Sequence, residues 1–169
     1  MKWFIRGACA ALLATAVGPV AQADSENQCR DVDGPFTSVL VAPPECQSPV
    51  GLCTHGILVG DLESDYDFTA TTLEPADDPD HPGRLIYTGV SVITPKNGAG
   101  QMFSDDTGYL DPDATDPNAY FATTVHVMRG TKNDKKTTGT LVASGVLNFI
   151  TGEAVGSYTG TLCHVNDHK

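Results

Sequence analysis

Between Leu52 and Cys163 the chain is cut into strand-length runs by Gly, Pro, Asp and Asn, and no part of residues 24–169 shows the 3.6-residue apolar period of an amphipathic helix. The runs are Leu52–Gly60, Leu62–Leu73, Arg84–Thr94, Ala99–Thr107, Ala119–Gly130, Thr137–Ile150 and Glu153–Cys163, with an earlier one at Phe36–Val41. Short strands joined by short turns make one antiparallel sheet, and closing that sheet on itself hides its edges. The expected fold class is all-β: an eight-stranded antiparallel up-and-down β-barrel, calycin-like in shape. About eight strands enclose room for one small ligand.

Side-chain alternation fits this reading. Tyr66, Phe68 and Ala70 share one face of their strand, and Asp67, Thr69 and Thr71 share the other. In the next-to-last run both faces are apolar, Leu141, Ala143 and Leu147 against Val142, Val146 and Ile150. A strand of that kind is expected to be covered on both sides. Gly156 and Gly160 flank Tyr158 and allow close approach of a neighbour. Thr151-Gly152 and Asn133–Lys136 read as hairpin tips, and Asn97-Gly98 as a type I′ turn. The longer loops Glu74–Gly83 and Leu110–Asn118, rich in Asp and Pro, are where a barrel mouth gains specificity.

The first 23 residues read as a secretory signal: Lys2 and Arg6, an apolar run from Gly7 to Val17, then Ala21-Gln22-Ala23 as cleavage site. Residues 24–51 follow as an N-terminal segment with a candidate first strand and disulfide loop, and 52–169 as the barrel domain. The product is expected to be secreted or periplasmic, with no membrane partner after cleavage. The formal charge of −11 becomes two units more negative once Lys2 and Arg6 are removed, which excludes nucleic acid as a partner.

Cys9 leaves with the signal, and Cys29, Cys46, Cys53 and Cys163 remain. An even number in an exported chain implies two disulfides. If Phe36–Val41 opens the barrel, the last strand ends beside it and Cys29 pairs with Cys163, leaving Cys46 with Cys53. If the barrel opens at Leu52, Cys53 pairs with Cys163 and Cys29 with Cys46. The first pairing is slightly preferred. No C-x₂-C pair supports a zinc site.

The segment Thr138-Gly139-Thr140-Leu141-Val142-Ala143-Ser144-Gly145-Val146-Leu147 resembles the glycine-bracketed strand of the allene oxide cyclase and dirigent superfamily, and Tyr158-Thr159-Gly160-Thr161-Leu162 is similar to its closing strand. Arg84–Gly108, with Asp105-Asp106-Thr107-Gly108 at its end, is compatible. The resemblance implies an eight-stranded barrel around an apolar cavity. It also implies a cofactor-free activity, either cyclising a reactive substrate or directing the stereochemistry of a coupling. None of that family's catalytic residues is carried over to this chain.

Candidate residues come from the strands. His126 shares a face with Tyr120 and Met128; if that face is the lumen, His126 serves as a general acid or base. Tyr87 is the second catalytic candidate, a phenol able to orient a carbonyl. Tyr66, Phe68, Tyr120, Met128 and Tyr158 are the candidate ligand-binding residues. Each has a plainer reading as an outer-face or core side chain. Asp61, Glu63, Asp65 and Asp67 alternate along one run, and Asp111, Asp113 and Asp116 along another, but neither matches an EF-hand loop, so no metal is assigned. No P-loop, dinucleotide fingerprint, G-x-S-x-G or H-E-x-x-H is present, and no cofactor is expected.

The sequence therefore points to an exported barrel that binds a small apolar molecule in its lumen, as a carrier or as a cofactor-free cyclase, isomerase or stereodirecting protein. The alternative is a non-catalytic structural or interaction protein with a packed barrel. A homo-oligomer is compatible with either.

Overall fold

A computed structural model describes residues 27–112 and 115–165. The secretory signal, Asp113 and His168 lie outside them. Eight strands follow in order: β1 (Asn27–Leu40), β2 (Cys53–Leu58), β3 (Ser64–Pro75), β4 (Leu85–Pro95), β5 (Met102–Pro112), β6 (Asn118–Gly130), β7 (Thr137–Asn148) and β8 (Glu153–Val165). Each pairs antiparallel with its sequence neighbours, and β8 returns to β1, so the sheet closes as an up-and-down barrel. The fold expected from the sequence is the fold observed.

β1 begins nine residues before the run at Phe36, and its first part pairs with β8 from Asn27↔Val165 onward. It is a full stave, so Leu52 marks no division between the N-terminal segment and the barrel. Cys29 sits directly opposite Cys163 and the two are bonded; Cys46 bonds Cys53. This is the preferred of the two pairings. The first bond closes 134 residues of sequence separation. In the chain-entropy picture a loop of that length is worth about 5 kcal/mol.

The turns depart from expectation in two places. Gly98 has positive φ but Asn97 does not, so Asn97-Gly98 is not a type I′ turn; it lies in a longer loop where the Asn97 side chain accepts the Ala99 N–H. β7 stops at Asn148, whose Oδ1 accepts the N–H groups of Ile150 and Thr151, so Phe149 and Ile150 belong to the turn. On the outer face of β7 Val142 is 47% exposed, and Ile150, in the turn beyond it, is 80% exposed.

The end carrying the β1–β2, β3–β4, β5–β6 and β7–β8 connections is the upper end. The lower half of the interior is filled by Val32, Leu58, Leu62, Met102, Val127 and Leu162. The Tyr158 hydroxyl locks the β2–β3 loop over this end, accepting the Leu62 N–H at 2.9 Å and donating to the Val59 carbonyl at 2.8 Å. The upper half is lined by Leu40, Tyr87, Leu110, Leu147 and Ala154.

Candidate functional site: the barrel lumen

The upper half of the lumen is not filled. A cavity of ≈ 110 Å³ lies among Phe36, Tyr66, Phe68, Tyr87, Phe121 and Leu147, and reaches Leu52 in the β1–β2 loop. An apolar cavity of about 150 Å³ holds a guest the size of benzene, so this open space is room for about one small ring. It is below the roughly 300–1,000 Å³ of pockets for larger ligands.

The loop over the upper end is held in two ways. Cys46–Cys53 closes it covalently. Ser48 Oγ donates to the Ala70 carbonyl at 2.6 Å and accepts the Val50 and Leu52 N–H groups at 3.2 Å. The β3–β4 loop is pinned separately. Arg84 reaches Asp78 at 2.9 Å and Asp111 at 2.8 Å and stacks over the Tyr109 ring.

Two aromatic groups shape the cavity wall. Phe68 and Tyr87 meet edge to face with centroids 5.6 Å apart; Phe36 meets Tyr66 at 6.2 Å and Phe121 at 6.0 Å. The tyrosines take their directions from glycines on adjoining strands. Tyr87 of β4 pairs with Gly108 of β5, which pairs with Thr123 of β6. With no side chain at Gly108, the Tyr87 ring crosses it and its hydroxyl bonds the Thr123 hydroxyl. Tyr66 crosses Gly56 in the same way, toward Ser38 of β1 on the strand beyond.

One acid faces this apolar space. Asp106 of β5 is 2% exposed. Ser104 donates to its Oδ1 at 2.8 Å, and Ser91 of β4 donates to its Oδ2. Burial pushes its pKa up, the two serine bonds oppose that, and the charge of Asp105 adds to it. Burial also pushes Tyr87 up to about 12 and raises Tyr66 and Tyr158. Tyr87 is therefore a neutral phenol at neutral pH, and it senses the Asp106 charge.

Of the residues singled out from sequence, Tyr87, Tyr66, Phe68 and Tyr158 line the lumen. Tyr158 does so with its hydroxyl spent on the lower loop. The placement of His126, Tyr120 and Met128 is corrected: all three lie on the outer face of β6, with Tyr120 65% and Met128 50% exposed. The alternate set Phe121, Val125 and Val127 is the more apolar and takes the interior. His126 bonds Thr140 at 3.3 Å on the outside of the sheet and does not reach the cavity. Among the described residues no group of three or more acids, histidines or cysteines is placed to hold a metal; Asp67 pairs with His55, and Asp111 with Arg84. Asp106, Ser91, Ser104 and Thr123 were not singled out. The strict alternation Met102, Ser104, Asp106, Gly108, Leu110 is the signal that puts Asp106 on the same face as two apolar residues.

No family model and no curated protein matches the chain. Among solved structures, the pterocarpan synthase dirigent protein is similar at 13% sequence identity with a TM-score of 0.48, over 85% of this chain and 89% of that one.

Proposed function

We propose that this is an exported protein whose barrel takes one small, largely apolar molecule into its lumen and acts on it without a cofactor, as a cyclase, isomerase or stereodirecting protein. The observation that carries this reading is Asp106. A buried carboxyl facing an unfilled apolar space costs stability, and titratable groups held at such a cost cluster at functional sites. Aromatic walls fix the plane of a guest, and the Asp106 carboxyl with the Tyr87 phenol supplies polar contact at one side. Catalysis in such a site works mainly by holding a reactive conformer, which requires shape and a proton donor or acceptor rather than a metal-binding motif. Two disulfides support an oxidising compartment.

The test is native mass spectrometry of the protein from its own export compartment, before and after organic extraction. A stoichiometric small adduct that extraction removes supports the reading. A clean mass before extraction, together with no saturable uptake of small aromatic probes by the extracted protein, overturns it.

A second reading, a non-catalytic interaction protein that self-associates, is favoured by one row on the outer surface. Tyr120, Val146 and Val155 are successive cross-strand partners, and Val155 is followed by Thr37 and Ile57. Sedimentation of wild type and Val155→Asp tests it: a larger species lost in the variant supports self-association, and a monomer in both excludes it.

A further inference from the structure

Among the described residues Asp106 has no cationic partner in the lumen. Among the described residues that line the cavity there is no Lys, Arg or His, and Asp106 is the one carboxyl. Its two partners, Ser91 and Ser104, are neutral donors. They satisfy two of about four lone-pair sites of a carboxylate and leave its charge uncancelled. The nearby Tyr87 hydroxyl is occupied by Thr123.

The walls around this acid are aromatic. Gly89 sits directly opposite Asp106 in the β4–β5 pair, and the Phe68 ring lies over Gly89. Tyr87, two residues from Gly89 on the same face, meets Phe68 edge to face. Ring faces attract an ammonium group, most strongly when water is excluded. The rest of the molecule is also acidic, with a formal charge of −11, and its field favours approach of a cation over an anion.

We propose that the lumen's ligand is a small organic monocation, an ammonium group on a short apolar or aromatic frame, with Asp106 as its counter-ion and the rings of Phe68 and Tyr87 beside the charge. This rests on the reading of the lumen as a ligand site and adds the ligand's chemical class. The cavity limits the frame to about one ring and a short arm. A neutral alcohol or hydrocarbon of the same shape fits the space and leaves the carboxylate without a counter-charge.

The test uses the disulfide-bonded mature chain and three probes of one shape: benzylamine, benzyl alcohol and toluene, titrated by calorimetry at pH 7. Benzylamine is expected to bind at least about tenfold more tightly than benzyl alcohol, and Asp106→Asn to remove that advantage. If benzyl alcohol or toluene binds wild type as tightly as benzylamine, the cation assignment is overturned and the lumen remains a ligand site. If none of the three shows saturable binding, the lumen reading fails and the cation assignment with it. The wild-type comparison stands without the variant, so poor folding of Asp106→Asn does not blunt the test.

Discussion

The Tyr87 ring lies across Gly108, its direct partner on β5, and bonds Thr123 on the strand beyond. A side chain at residue 108 would occupy the ring's place: a Cβ there falls 2.7 Å from the Tyr87 Cζ and hydroxyl and 2.5 Å from the Ala122 carbonyl. Gly108→Ala is expected to cost about 1–3 kcal/mol, as overpacking does, and to free the Tyr87 hydroxyl from Thr123. Urea denaturation measures the first effect. A Gly108→Ala midpoint equal to wild type contradicts the arrangement.

Asp106 gives a pH signature. Its folded pKa is raised above the unfolded value, so its proton stabilises the fold in acid and that contribution is lost as pH rises through the folded pKa. Asp106→Asn, which cannot ionise, is therefore expected to gain in Tm relative to wild type on going from pH 4 to pH 7. Thermal melts at the two values decide it. A difference between variant and wild type that does not change with pH removes the argument for a strained acid in the lumen.

Tyr158 acts on the lower loop rather than on a ligand. Tyr158→Phe leaves the Leu62 N–H and the Val59 carbonyl without their partner, and an unmet buried polar group costs about 1–3 kcal/mol. Faster hydrogen exchange at the Leu62 amide is the expected local sign. Probe binding in the upper lumen is expected to stay within about threefold of wild type, because the hydroxyl points away from the cavity's open half.

Removal of the Cys46–Cys53 bond by a double Cys→Ser change is expected to loosen the loop that brings Leu52 to the cavity. A loop this short is worth about 2–3 kcal/mol in the chain-entropy picture. Stopped-flow measurement of probe release should show faster dissociation with little change in association. Unchanged release would mean that this loop does not guard the opening.

His126→Ala is expected to be near neutral, within about 0.5 kcal/mol in stability, because the imidazole lies on the exposed face of β6. Binding of the three aromatic probes should not change. A large loss of binding would place the imidazole in the lumen and contradict the strand's register.

Strand number, order and the closing bond were legible because local alternation and covalent spacing carry them. Val125 and Val127 alternate with polar residues wherever the strand is placed, and Cys29 meets Cys163 in any barrel that starts at β1. The first nine residues of β1 were not legible. Asn27–Pro35 has Gly34, Pro35 and three charged side chains, and it is extended because β8 pairs with it from the far end of the chain. Asp106 was obscured by its own neighbours. The strand-like run stops at Thr107 because Asp105-Asp106-Thr107-Gly108 has the composition of a turn, whereas β5 continues to Pro112 with Met102 and Leu110 buried on the face of Asp106. The face of His126 required weighing Phe121, Val125 and Val127 as one interior set, since a register slip of one residue exchanges the two faces.

The Cys29–Cys163 bond also decides how the molecule meets mechanical load. It joins two directly opposed residues where the last stave meets the first. Tension applied between the two ends of the chain passes through one sulfur–sulfur link and bypasses the strand ladders. Pulled by its ends, the barrel behaves as a closed ring hung from its clasp.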